Sequence, residues 1–349
     1  MSTIADVGRR AGVTPSVVSR VLNGDPSLRV RPETRERVVA AAHELDYTPN
    51  HAARALRQSR VGTLGLAVHD VSNPVYAPLI AGAQRAASTH GYVLVLADVP
   101  ELARDSQTFA RVVGSGAIDG LLLLPAGVEA DRVVEQAVSE RLPAVVVNDR
   151  SLTLPSVELA DRAAMSLATD HLLDLGHRDL AALRLDGAGH RSRHRTEGFE
   201  RVVQGRGVPV PDERLLDGGH TVASGRAAMQ GLLSQASPPT GVVAASVLAG
   251  VGALVAARDA GLDVPRDVSV VGVHDVFFAE LLTPALTVVR LPLGRLGEVA
   301  VERLAGLIAG EAASKPQLLL DDPAPELVLR GSTASSGPRP EGGDLEPRP

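Results

Sequence analysis

The chain has 349 residues, no cysteine and no tryptophan, 44% hydrophobic and 2% aromatic residues, and a formal net charge of −6. At about 100–200 residues per domain this length gives two or three domains with a sizeable aliphatic core, and the hydrophobic share excludes a wholly disordered chain. The lack of cysteine excludes disulfides, thiolate metal sites and cysteine nucleophiles. No apolar run approaches the about 18 residues of a membrane span, and the start, Met1 to Arg10, carries no apolar export segment, so a cytoplasmic protein without a membrane partner is expected.

The charge is divided unevenly. Residues 1–60 hold ten arginines and six acids, a balance of +4, whereas the other 289 residues hold 25 bases and 35 acids, a balance of −10. A basic head on an acidic body fits one module that meets a polyanion and a second with another task. Arginine outnumbers lysine 34 to 1 throughout, so the choice of arginine carries no information by itself.

In the head, Thr3 precedes Ile4-Ala5-Asp6-Val7, and Asp6 puts a carboxylate in the first turn, which reads as a capped helix ending near Arg10. Gly12 supplies a tight turn. Thr14 then caps a second helix with Pro15 at its first position, stopped by Gly24 after Asn23. Val18 and Val21 are expected to face inward, leaving Pro15, Ser16, Val17, Ser19 and Arg20 on or near the outer face. A third helix is expected from Pro32 to about Leu45. Two short helices joined by a turn and braced by a third describe a helix-turn-helix, the alternative being a generic three-helix bundle. In the former, the second helix enters the major groove N-terminus first, with Ser16 and Arg20 in reach of bases or phosphates. Residues 50–58 can be capped by Asn50 and carry a narrow stripe of Ala52, Ala53 and Leu56; they are too few for an isolated helix, so they form a linker or a helix that needs a partner.

From Val61 short aliphatic runs alternate with helical stretches. Strands are expected at Leu64–Val68, Tyr92–Ala97, Gly120–Leu124 and Ala144–Val147, with helices near 75–90, 101–115 and 129–141. A second set follows at Leu180–Leu183, near Leu215–Leu216, at Gly241–Ala245 and at Val268–Val273, with helices near 162–175, 192–206, 223–234 and 248–260. Buried strands alternating with helices imply two doubly wound parallel-sheet α/β lobes, with a ligand cleft outside the carboxyl ends of the strands. Residues 333–349 are Ser, Gly, Pro and charge, expected to form a disordered tail.

Enzymatic chemistry finds little support. The glycines at 114, 116 and 120 miss the dinucleotide spacing, Lys315 is the only lysine, and no nucleophile elbow occurs. His190 and His194 are four apart, but Arg191, Arg193 and Arg195 oppose a cation, so a solvated or anion-facing loop is expected and no metal or cofactor. A solute-binding protein remains the other class that would suit the body alone.

The residues Thr3-Ile4-Ala5-Asp6-Val7, Ala11-Gly12-Val13-Thr14, Val18-Ser19-Arg20-Val21-Leu22-Asn23-Gly24, Pro32-Glu33-Thr34-Arg35-Glu36-Arg37-Val38 and Tyr47-Thr48-Pro49-Asn50 strongly resemble the lac repressor/galactose repressor (LacI/GalR) family of bacterial transcription regulators. The body resembles that family's periplasmic-binding-protein-like core through Asp70-Val71-Ser72-Asn73-Pro74, Gly176-His177-Arg178, Gly261 to Val268 and Pro284-Ala285-Leu286-Thr287. The resemblance implies a repressor of catabolic or transport genes, a homodimer on a pseudopalindromic DNA operator under control of a small-molecule effector. It implies a head at 1–48, a hinge helix at 49–60 and a core at 61–332, the chain crossing between lobes near 160, 290 and 317. The first lobe would then comprise about 61–159 and 291–316, and the second about 160–290 and 317–332.

By the same resemblance Thr3, Thr14, Pro15, Ser16, Val17, Ser19, Arg20, Asn23, Arg31 and Thr34 face DNA. Pro15 reads only by apolar contact, and Arg31 stands where the family usually has a capping serine or threonine. Asn50, Ala53, Leu56 and Arg57 would lie in the minor groove, with Leu56 as a wedge. Effector positions would be Asp70, Asn73 and Tyr76 on the first lobe, Asn148 or Asp149 after the fourth strand, and Arg195, Ser246 and His274 on the second. Ala160-Asp161, Ser246-Val247 and His274 replace acceptors that the family often has there, so Arg195 with His274 is expected to favour an anionic effector, the alternative being that His274 is a satisfied loop histidine in a regulator whose pocket no longer binds an effector.

Overall fold

The computed structural model describes residues 2–22, 27–47, 60–125, 129–138, 142–187, 189–311 and 315–337. The chain divides into two compact units, residues 1–61 and 62–349.

The described residues of the first unit form three helices, α1 (Ile4–Ala11), α2 (Pro15–Leu22) and α3 (Pro32–Glu44). Thr3 and Asp6 form the reciprocal capping box, the Thr3 hydroxyl accepting from Asp6 N while Asp6 Oδ2 accepts from Thr3 N at 2.8 Å. Gly12 closes α1 in the left-handed region at φ 67°, which suits a residue without Cβ, and its N–H returns to the carbonyls of Gly8 and Arg9. Val7, Val18 and Val38, all 0% exposed, meet at the centre with Ala11, Val21 and Ala41 around them. Arg31 gives α3 no side-chain cap, while Pro32 at its first position removes one donor that would need one.

Among its described residues the second unit holds twelve strands: β1 (Thr63–Val68), β2 (Val93–Asp98), β3 (Gly120–Leu123), β4 (Ala144–Val147), β5 (Ser156–Leu159), β6 (Leu180–Arg184), β7 (Leu215–Asp217), β8 (Gly241–Ala244), β9 (Ser269–Val273), β10 (Thr287–Arg290), β11 (Gln317–Leu320) and β12 (Glu326–Val328). They form two six-stranded sheets ordered β11-β5-β4-β3-β1-β2 and β12-β10-β9-β8-β6-β7, parallel throughout except for the antiparallel pair of β10 with β12. The first sheet is flanked by α4 (Ala77–Thr89), α5 (Val99–Arg104), α6 (Ser106–Gly114), α7 (Glu129–Val138) and, from late in the chain, α12 (Leu293–Ile308). The second is flanked by α8 (Asp161–Asp174), α9 (His190–Gly205), α10 (Val222–Leu233) and α11 (Val247–Asp259). The central strands are buried along their whole length, as sheets covered on both faces require.

Three expectations need correction. β11 pairs in parallel with β5, Gln317 opposite Ser156, so the last crossing between lobes follows Leu320 and not residue 317. The helix expected at 101–115 is broken at Asp105, whose Oδ1 accepts from Thr108 N at 2.9 Å and starts α6 afresh. Residues 333–337 are not a free tail. Thr333 Oγ1 meets His171 Nε2, Ala334 O meets His177 Nε2, and Ser336 N donates to Leu175 O, so backbone polar groups are satisfied against the second lobe despite the polar composition. Residues 338–349 lie outside the described residues.

Candidate nucleic-acid interface and ligand cleft

On α2, Pro15, Ser16 and Arg20 are exposed, whereas Ser19 and Val17 are half-buried, Val17 against the helical core. The outer face is therefore narrower than the spacing suggested. Arg20 Nη2 donates to Ser27 Oγ at 3.0 Å, which holds the guanidinium beside the turn after α2. Thr14 Oγ1 accepts from Val17 N at 3.4 Å and Thr3 is engaged in its capping box, so both hydroxyls organise helix starts. Arg31 is exposed at the start of α3 and Thr34 is half-buried one turn later. Asn23, Asn50, Ala53, Leu56 and Arg57 lie outside the described residues.

The strand orders reverse between β1 and β3 in one lobe and between β6 and β8 in the other, which opens a crevice at each pair of carboxyl ends. Asp70, Asn73 and Tyr76 follow β1, Pro125 follows β3, α9 follows β6, and Ser246 follows β8. Asp70 Oδ1 accepts from the Ser72 backbone and hydroxyl, and Asn73 Oδ1 accepts from Val75 N, so these turns are fixed by their own side chains. Burial raises the Tyr76 phenol, with Arg191 and Arg195 of the opposite lobe pulling it back and Asp70 adding to the rise. The first lobe's tyrosine thus shares a field with the second lobe's arginines.

Arg195 is the centre of the second-lobe half. It is 2% exposed, and its Nε donates to Asp161 Oδ1 at 2.7 Å, its Nη1 to the Ala245 carbonyl and its Nη2 to His274 Nε2 at 2.7 Å. A guanidinium only donates, so Nε2 of His274 is the acceptor and Nδ1 carries the proton. Burial and the two arginines hold His274 well below the ordinary histidine value, which keeps the ring neutral. Its Nδ1 is buried without a hydrogen-bond partner among the described residues. His274 follows β9 at φ 75°, a left-handed conformation costly for a residue with a Cβ. His220 is pushed down to about 3 by burial, with Arg191, Arg195 and His69 opposing its charge.

This geometry changes the expected electrostatics. The positive charge of Arg195 is balanced inside the protein by Asp161, and His274 is neutral, so neither supplies a free cation to an effector. A positive charge remains on Arg191, whose Nη2 reaches across to Pro125 O at 3.4 Å. Of the pair Asn148 and Asp149, Asn148 holds Leu159 N with its own amide oxygen, while Asp149 Oδ1 accepts from His190 N of the other lobe at 3.1 Å. Ser246 is buried at the start of α11 and makes no capping bond. His220 and His69 were missed in the sequence, and Asp161 and Arg191 were noticed there without their roles in this cluster. For Asp161 a signal existed, since an arginine destined for burial needs a carboxylate near it.

The profile described as bacterial regulatory proteins of the lacI family matches residues 3–50, and that of a periplasmic binding protein-like domain matches residues 169–333. The chain is 35% identical over 345 residues to the HTH-type transcriptional regulator MalR of Streptomyces coelicolor, covering 95% of this chain and 97% of that protein. It is 32% identical over 338 residues to the HTH-type transcriptional repressor PurR of Erwinia tasmaniensis, covering 96% and 97%. Among solved structures, the lac repressor dimer bound to operator and the anti-inducer ONPF superposes with TM-score 0.80 at 27% identity, over 95% of this chain and 99% of that one. The CelR–cellobiose complex does so with TM-score 0.71 at 30% identity, over 95% and 100%. Among the described residues no helix is long and apolar enough to cross a membrane. With a helix-turn-helix head, two switch-point lobes and full-length relatives of this kind, the chain belongs to the LacI family of DNA-binding transcriptional regulators.

Proposed function

We propose that the protein is a repressor whose homodimer sets two heads on a pseudopalindromic operator and whose operator affinity is controlled by a small polar metabolite held between the lobes. Pro15, Ser16 and Arg20 are the base-reading face of α2, with Arg31 and Thr34 on phosphates, and the segment around Leu56 enters the minor groove. The observation that carries the effector half is the buried, unpartnered Nδ1–H of His274 beneath the crevice. A buried donor left unmade costs about 1–3 kcal/mol, which a ligand hydroxyl or carbonyl oxygen placed there would recover.

With Arg195 already neutralised, the reading favours a neutral, hydroxyl-rich ligand of the sugar class over a strongly anionic one. Asp70, Asn73, Tyr76 and Asp149 face it from the first lobe, Arg191, Ser246 and His274 from the second, and Arg195 positions His274. The cellobiose bound by CelR is a ligand of this chemistry. Binding selects one lobe arrangement, and the change passes along the chain to residues 49–60 and the heads. Selection of an operator from a random DNA pool, followed by calorimetry with neutral sugars and their phosphates, tests both halves. The expected result is a two-fold related site and tight binding of a neutral sugar that shifts operator affinity. Enrichment of no sequence overturns the DNA reading, and binding of phosphorylated compounds alone overturns the neutral one.

A further inference from the structure

Glu158 lies in β5 of the first lobe, and His190 and His194 lie in the first turns of α9 of the second. Four residues apart on a helix, the imidazoles share one face, with ring centroids 3.7 Å apart. One ligand atom from each of the three residues lies within 4.8 Å of the others. His190 Nε2 is 3.2 Å from Glu158 Oε2, yet it is buried and makes no hydrogen bond among the described residues. The two atoms approach at the spacing of neighbouring ligands without donor–acceptor alignment. Tetrahedral zinc with bonds of about 2.0–2.2 Å sets its ligand atoms about 3.3–3.6 Å apart.

Two of the three arginines that argued against a cation are turned elsewhere, while Arg193 remains beside His190. Arg195 turns into the core onto Asp161, and Arg191 reaches across to Pro125 O. Arg150 binds Glu158 through Nε at 3.1 Å and Nη2 at 3.2 Å, so a metal on Oε2 would leave Oε1 oriented by Nε, an outer partner of the kind that metal-bound carboxylates have. Arg162 is taken up by Glu197.

We propose that Glu158, His190 and His194 form a site for a divalent transition metal of the zinc class, with an open fourth position for water, that bridges the two lobes. The ligands come from both lobes, so the metal stabilises the arrangement in which they meet and is a second effector, separate from the crevice ligand. That coupling to DNA rests on the operator reading above, whereas the binding itself does not.

The test is titration of the metal-stripped full chain with Zn2+ against a chromophoric chelator, and with Co2+ for its visible bands, on wild type, His194→Ala and Glu158→Gln. Thermal melting without metal checks that each variant is folded. The expected result is one ion per chain with tetrahedral-type cobalt bands, an affinity at least about ten-fold weaker in both variants, and a Zn2+-dependent change in operator affinity that His194→Ala removes. Unchanged affinity in folded variants, or no binding in wild type, overturns the site. Binding lost in the variants while Zn2+ leaves a measurable operator affinity unchanged overturns the bridging role. If no operator is bound under any condition, the DNA reading fails and the cobalt spectra still decide the site.

Discussion

Arg195 is a charged group at the depth of a core leucine, and it is tolerated because Asp161 and His274 take up its donors. Asp161→Ala would strand the guanidinium, and denaturant unfolding should show a loss of about 3–5 kcal/mol, far above that of an exposed pair such as Arg104 with Glu101. Stability unchanged within about 1 kcal/mol would mean that the cluster opens to water. The same burial makes an acid-labile centre. His220, faced by Arg191 and Arg195 from α9 and by His69 after β1, titrates at about 3 in the folded chain against about 6.5 unfolded. The unfolded chain therefore binds the extra proton between those values, and stability intact above pH 6.5 is lost as pH falls. The loss approaches about 1.4 kcal/mol per pH unit per histidine, with His274, lowered by burial and the same arginines, adding to it. Melting between pH 7 and 4.5 should fall less steeply in His220→Gln. At this scale Arg195 and His274 were named from the family resemblance, but the neutralisation of Arg195 by Asp161 was not, because Asp161 lies 34 positions from Arg195 in sequence and only the packing of α8 on α9 joins them.

Most helices and several inner strands were legible because each carries its own period: β1, β3, β4, β8 and β9 are largely apolar runs, and α1 announces itself through Thr3 and Asp6. The elements left out are β5, β10, β11, β12 and the helix α12. β5 carries Ser156 and Glu158 in its buried run, and β11 and β12 are short strands at sheet edges, where half the backbone needs no apolar cover. Helix contacts were hidden too. α12 returns to pack on α4 so closely that a Cβ on Gly297 would lie 2.2 Å from Leu79 O, and one on Gly82 2.0 Å from Gly294 O. Gly297→Ala would gain about 1 kcal/mol of helix propensity, but no rotamer relieves a contact with backbone, so the helices must part. A net loss of about 1–3 kcal/mol in chemical denaturation is expected, and a gain in stability would mean that the crossing is looser than described.

For the molecule as a whole, the net charge of −6 conceals a head of +4 and a body of −10. A net-acidic body disfavours contact with DNA, so it lowers non-specific binding more than specific binding. Control by a ligand then has to pass through lobe arrangement. Polar contacts cross between the lobes, His190 N to Asp149 Oδ1 and Arg191 Nη2 to Pro125 O among them, beside apolar packing that joins residues of both lobes in one cluster. If an effector changes operator affinity by some factor, operator must change effector affinity by the same factor, since both act on one equilibrium. Calorimetric titration of the effector, with and without saturating operator, should therefore give a ratio of dissociation constants equal to that of the operator titrations made with and without effector. Asp149→Ala, which removes an acceptor bridging the lobes, should shift both ratios together. Ratios that move independently would show that effector and operator bias different elements.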